Sequence, residues 1–157
     1  MSQQVTNIVV AGLGGQGVLK VTDILAEALF RSGYDVKKSE VHGMSQRGGS
    51  VSSEVRFGEQ VFSPMVPAGE ADFLAVIDST QTDVARPKLK ANGVLITPDD
   101  VPKDQLKHPK ALNTMILGKL AARLPIADAL WQEVIKEQFP AKLFELNWEM
   151  FQLGKNA

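Results

Sequence analysis

Asn7-Ile8-Val9-Val10-Ala11-Gly12-Leu13-Gly14-Gly15-Gln16-Gly17-Val18 is the stretch that decides the fold. The run from Asn7 to Ala11 is short, largely apolar and rich in β-branched residues, as in a strand buried on both faces. Glycines then turn the chain. Behind them Val18, Val21, Leu25, Ala28 and Leu29 recur at helical spacing until Gly33 stops the helix. Tyr34 to Val41 reads as a second strand. Strand, glycine turn, helix and strand in that order predict a βαβ unit. The fold class is therefore α/β, a Rossmann-like three-layer fold with a mostly parallel sheet.

Downstream, Val51, Val55 and Phe57 alternate with Ser52, Glu54 and Arg56, so Ser50 to Phe57 should bury one face and wet the other. Gly58-Glu59 is expected to turn this strand into Gln60-Val61-Phe62, forming an inserted β-hairpin. Ala71 to Ile77 and Gly93 to Thr97 read as further core strands. Pro98 to Pro109 is polar and proline-rich, the pattern of a surface connector. Three C-terminal helices follow. One spans about Leu112 to Arg123, and a second runs from about Ala127 with Leu130, Trp131, Val134 and Ile135 on one side. The last starts with Pro140 in its first turn and ends near Leu153, before Gly154.

The 157 residues suffice for one domain, 1–157, with a proper core. Seventeen basic and eighteen acidic residues leave a net charge of −1, without the basic excess that nucleic-acid binding requires. No apolar stretch approaches the roughly 20 residues that span a bilayer. Met1-Ser2-Gln3-Gln4 shows no secretory signal, which points to the cytoplasm. The chain has no cysteine, so it offers no thiolates for an iron–sulfur cluster, no disulfide and no thiol nucleophile. Its two histidines, His42 and His108, are too few for a typical zinc site. No catalytic residue and no metal ligand is expected. Any redox centre belongs to another chain.

Gly12, Gly14 and Gly17 follow the Gly-x-Gly-x-x-Gly spacing. Such glycines allow a tight turn and close approach of a phosphate to backbone N–H groups at a helix N-terminus. Gly12, Gly14, Gly15, Gln16 and Gly17 are the candidate cofactor-binding residues. A tight strand-to-helix crossover can use the same glycines without a ligand. The dinucleotide version wants an acidic residue roughly 20 positions on, near the end of the second strand, and Glu40 is close to that place. A stand-alone NAD- or nucleotide-binding module is therefore the alternative reading.

Val41-His42-Gly43-Met44-Ser45-Gln46-Arg47-Gly48-Gly49-Ser50-Val51 fits neither an amphipathic helix nor a simple buried strand. Ser45, Gln46, Arg47 and Gly48 are candidate partner or ligand contacts, with arginine the preferred planar donor to a carboxylate or phosphate. The plainer reading is a flexible loop with a solvated Arg47. On the last helix Leu143, Leu146, Met150 and Leu153 form one apolar stripe, and Phe144, Trp148 and Phe151 form another. One stripe should cover the core. The second, with Trp148 at its centre, is either core as well or a contact for a partner subunit or a second copy of the isolated chain. Asp78 heads Asp78-Ser79-Thr80, where capping of a helix suits it better than general-base work.

Taken together, Gly14-Gly15-Gln16-Gly17, the run His42 to Val51, Val55-Arg56-Phe57-Gly58, Phe62-Ser63-Pro64 and Gly69-Glu70-Ala71-Asp72 resemble a known family. It is the gamma-type component of 2-oxoacid:ferredoxin oxidoreductases, and within it most like the indolepyruvate oxidoreductase beta subunit. The resemblance runs from Asn7 to Asp78 and resumes from Leu112-Asn113 through Leu146-Asn147 to Gly154. The segment Pro98 to Lys110 is shorter than its counterpart in the family. The resemblance implies a holoenzyme that decarboxylates a 2-oxoacid on thiamine diphosphate, passes electrons through iron–sulfur clusters to ferredoxin, and delivers the acyl group to coenzyme A. A cysteine-free chain without a Gly-Asp-Gly…Asn motif would leave those groups to a catalytic subunit, would be inactive alone, and would bind no cofactor unaided.

Overall fold

The computed structural model describes residues 4–42 and 49–157. Strand β1, Val5–Leu13, lies in the middle of the sheet. Ile8 and Val10 point to one face and Val9 and Ala11 to the other, and all four are buried. Helix α1, Val18–Arg31, starts at Gly17 in the left-handed region (φ 80) and buries Val18, Val21, Ile24, Leu25, Ala28 and Leu29 on one stripe. Gly33 (φ 97) then reverses the chain into β2, Asp35–His42.

The remaining strands are β3 (Ser50–Gly58), β4 (Ala71–Val76) and β5 (Leu89–Ile96), and the sheet order is β2-β3-β1-β4-β5. β1, β4 and β5 pair in parallel, whereas β3 is antiparallel to both β1 and β2. Two sequence expectations are thereby corrected. β1 and β2 point the same way but are not neighbours, because β3 is inserted between them. The hairpin is β2–β3, with Asp35 opposite Gly58 and His42 opposite Val51, so Gly58-Glu59 is not its turn and 60–62 is not a strand. After β3 the chain crosses the sheet as an irregular connector fastened by side chains. Val61 N donates to Asp35 Oδ2 at 2.8 Å, Arg56 Nη1 to Ser63 O at 2.8 Å and Val66 N to Glu54 Oε1 at 2.7 Å.

That connector overturns a third expectation. Glu54, read as solvent-facing, is fully buried. Its second carboxylate oxygen is paired with the ammonium of Lys88, as burial of a charge demands.

β4 and β5 are joined by α2, the four residues Thr82–Ala85, between two 3₁₀ turns. Residues 98–111 form three further 3₁₀ turns, and Pro98 and Val101 are buried, so the connector is partly core. The C-terminal helices are α3 (Leu112–Ala121), α4 (Asp128–Gln138) and α5 (Ala141–Lys155), with Pro140 at the cap before α5. Gly154 does not end α5 but lies within it. A Cβ on Gly154 would fall 1.9 Å from Met115 O, and one on Gly118 would fall 2.0 Å from Phe151 O. The two glycines bring α3 and α5 into backbone contact.

α1 and α3 lie on the face carrying Ile8 and Val10, and α4 and α5 pack over them. Trp131 and Phe151 are fully buried there, their rings 5.3 Å apart. Among the described residues, the opposite face, with Val9, Ala11, Leu74 and Val76, packs against Val66 of the connector and Ala85 of α2. One layer is thick and the other thin.

Candidate functional site: the glycine turn and its groove

The glycine turn links the C-terminal ends of β1 and β4, the region where open α/β sheets place ligands. Gln16 organises it. Its Oε1 accepts from Leu13 N at 2.7 Å, its own N–H donates to Leu13 O at 3.1 Å, and its Nε2 donates to Asp78 Oδ2 at 2.7 Å. Asp78 also accepts from Thr80 Oγ1 at 2.5 Å and Thr80 N at 3.0 Å, capping the 3₁₀ turn as expected. The Thr80 hydroxyl, followed by Gln16 and the Thr80 N–H, holds the Asp78 carboxyl below the usual carboxylate range.

The five glycine-turn residues divide into two groups. Gly12 and Gly14 serve the backbone. A Cβ on Gly12 would press on Val18 Cγ2 at 2.9 Å, and Gly14 N donates to Gly49 O at 2.8 Å, tying the turn to the start of β3. Gly15, Gln16 and Gly17 line a groove of about 440 Å³ together with Lys20, Lys110 and Asn113, walled by Ile77, Pro109, Leu112 and Phe139. Gly15 (φ 91) has open space where a Cβ would go. α1 carries no acidic residue in its first turn, so no side chain of that turn offsets the positive end of the helix. Lys20 donates to Gln138 O at 2.8 Å and lies 5.3 Å from the centre of the Phe139 ring. An anionic group of phosphate size matches this set of donors.

Asn113 was not anticipated. Its Nδ2 donates to Gly17 O at 3.3 Å and its Oδ1 accepts from Thr114 N at 2.8 Å. Thr114 Oγ1 donates to Asn147 Oδ1 at 2.8 Å, and Asn147 Nδ2 donates to Leu143 O at 2.9 Å. A buried polar chain thus runs from the turn through α3 to α5. The signal in the sequence is a polar pair, Asn113-Thr114, inside the otherwise apolar run Leu112 to Leu117. Lys20 and Lys110 carry no such signal, since lone lysines on helix surfaces are ordinary.

The dinucleotide layout does not fit. Leu13, Gly14 and Gln16 already spend their N–H groups inside the protein. Glu40 lies on the edge strand, with β3 between it and β1, and is 3.2 Å from Lys38 Nζ. Ser45, Gln46, Arg47 and Gly48 lie outside the described residues. Trp148 is away from the groove, half-buried and stacked against Phe151 at 5.3 Å and Phe144 at 6.4 Å.

Residues 7–157 match the pyruvate ferredoxin/flavodoxin oxidoreductase family. The chain is 31% identical to indolepyruvate oxidoreductase subunit IorB of Thermococcus kodakarensis, over 96% of this chain and 95% of that protein. Among solved structures it resembles a keto/oxoacid ferredoxin oxidoreductase gamma subunit from Geobacter sulfurreducens, with a TM-score of 0.80, 24% identity and 96% of each chain covered. It also shares the fold of part of a 2-oxoglutarate:ferredoxin oxidoreductase from Magnetococcus marinus, solved with 2-oxoglutarate, coenzyme A and succinyl-CoA. There the TM-score is 0.84 at 21% identity, over 99% of this chain and 31% of that one. Matched from residue 7 to residue 157 by the family model, and alike over nearly its whole length to an indolepyruvate oxidoreductase subunit, the chain belongs to the pyruvate ferredoxin/flavodoxin oxidoreductase family.

Proposed function

We propose that this chain is the non-cluster subunit of a 2-oxoacid:ferredoxin oxidoreductase acting on arylpyruvates such as indolepyruvate. The observation that carries the reading is the near full-length match to an indolepyruvate oxidoreductase subunit by a chain that contains no cysteine. Thiamine diphosphate and iron–sulfur clusters, held by a catalytic subunit, supply decarboxylation and electron transfer to ferredoxin, and coenzyme A takes the acyl group. This chain's part is to bind and position. Gly15, Gln16 and Gly17 at the start of α1, with Lys20 and Lys110, are the groups suited to a phosphate of coenzyme A. The groove's apolar wall of Ile77, Leu112 and Phe139 keeps competing water off one side.

Two measurements test this. Reconstituted with its catalytic subunit, the chain should support indolepyruvate-dependent ferredoxin reduction, and alone it should show none. Turnover by the isolated chain overturns the inert-subunit reading. Coenzyme A titrated against the complex should lose affinity when Lys20→Ala and Lys110→Ala are combined. Unchanged affinity would remove the groove from coenzyme A binding while leaving the subunit reading standing.

A further inference from the structure

Asn113 is the second residue of α3 and only 6% exposed, yet it borders the groove beside the glycine turn. One neighbour fixes the direction of its amide. Oδ1 accepts from Thr114 N at 2.8 Å, and a backbone N–H can only donate. A flipped amide would set its own N–H groups against that donor. Nδ2 is therefore turned toward α1, where one of its hydrogens bonds Gly17 O at 3.3 Å. The nitrogen stands where a Cβ on Gly17 would be, so the amide fills the side-chain space that this glycine leaves vacant. The bond from Thr114 Oγ1 to Asn147 Oδ1 then braces the same end of α3 against α5.

Gly17 O also accepts from Val21 N at 3.1 Å, the first bond of α1. Held by two donors, this carbonyl sets the plane of the Gly17–Val18 peptide and with it the direction of the Val18 N–H. Among the described residues no acceptor meets the N–H groups of Val18, Leu19 and Lys20, the unbonded donors of a helix start. The Asn113 amide has two N–H groups, and among the described residues only Gly17 O accepts from it.

We propose that Asn113 positions the anion in this groove: one amide N–H locks the Gly17–Val18 peptide, and the other donates to a phosphate of the bound ligand. The proposal rests on the reading of the groove as a coenzyme A phosphate site. Asn113 supplies direction where Lys20 and Lys110 supply charge. The lysines attract any nearby anion, whereas an amide of fixed orientation favours only an acceptor within hydrogen-bond distance. An acyl acceptor without phosphate gains nothing from it.

The test uses the complex reconstituted with its catalytic subunit and two acyl acceptors, coenzyme A and pantetheine, which carries the same thiol and no phosphate. The quantity read is kcat/KM for coenzyme A divided by kcat/KM for pantetheine. Each value is the initial slope of rate against acceptor concentration, so neither acceptor need saturate. Poor folding or assembly of a variant lowers both slopes alike and leaves their ratio unchanged. Asn113→Ala should lower the ratio about tenfold or more, the size of a lost hydrogen bond to a charged group. The isosteric Asn113→Asp should lower it further, because it sets a carboxylate beside the anion. Ratios within twofold of wild type in both variants overturn the proposal. Lys20→Ala/Lys110→Ala, measured in the same way, tells that failure from a failure of the groove reading. If the lysine variant lowers the ratio and the Asn113 variants do not, the groove holds coenzyme A without help from Asn113. If none of the three lowers it, the groove reading falls as well.

Discussion

Gln16 Nε2 donates to Asp78 Oδ2 at 2.7 Å, joining the glycine turn after β1 to the end of β4 through a single side chain. The same Gln16 closes its own turn by accepting from Leu13 N. Gln16→Ala should therefore cost about 1–3 kcal/mol, the range for stripping partners from part-buried polar groups. Urea unfolding of the variant checks it, and a loss under 0.5 kcal/mol, about the limit expected for an inconsequential surface change, would mean that water replaces the amide without penalty.

The Asp78 bonds also make stability depend on acid. Its folded pKa lies below its unfolded one, so the unfolded state takes up the proton first as pH falls. The stabilisation is complete above the unfolded carboxylate value of about 4. It disappears as pH drops through the lower folded value. Wild type should thus exceed Asp78→Asn in melting temperature at pH 7, with the gap narrowing below about pH 4. A gap that stays constant from neutral pH to pH 2 would contradict this assignment.

Gly15 and Gly17 separate backbone strain from crowding. Both have positive φ, but only Gly17 has a neighbour in the way, with Asn113 Nδ2 2.3 Å from where its Cβ would stand. Gly15→Ala should cost about 1–2 kcal/mol from the left-handed backbone alone. Gly17→Ala should cost more and should also weaken ligand binding in the groove, because the displaced amide moves into it. Equal costs for the two would show that Asn113 yields freely.

Gly118→Ala or Gly154→Ala should be among the most damaging changes of a single methyl group in this protein. Each places a carbon at about 2 Å from a backbone carbonyl oxygen of the facing helix, where no side-chain rotamer can relieve it. A loss of about 3 kcal/mol or more is expected, at the upper end for overpacking. Thermal unfolding of both variants measures it, and a shift of only a degree or two would refute the tight crossing.

Lys88→Met leaves the buried Glu54 with only the Val66 N–H as its described partner. The loss should be about 3 kcal/mol, since a buried charge without its counter-charge is costly. The double variant Glu54→Gln/Lys88→Met should recover part of that loss. If the double variant is the less stable of the two, the pair is not the reason for the cost.

β1, α1 and the three long C-terminal helices were legible because each carries a sustained period of its own. The place of β3 was not. Alternation along a strand says which side chains share a face but not which strand lies alongside. Glu54 was misread for a related reason, because its partner Lys88 is 34 positions away and reaches it only through the fold. Gly154 read as a helix stop because a glycine in a helical run looks the same whether it ends the helix or admits another. In the site, Gly12 to Gly17 announced themselves by spacing, whereas Lys20, Lys110 and Asn113 converge only once α3 has docked beside α1.

The late arrival of β3 between β1 and β2 has a consequence for biogenesis. As the chain leaves the ribosome, β1, α1 and β2 emerge first, and neither strand can then bond to the other in its native place, roughly two inter-strand spacings, or about 9.5 Å, away. Only when Ser50 to Gly58 appears can β2 and one edge of β1 be paired, while the other edge of β1 waits for β4. Until then two unpaired strands stand open, and a nascent chain paused at that point is the species most exposed to aggregation.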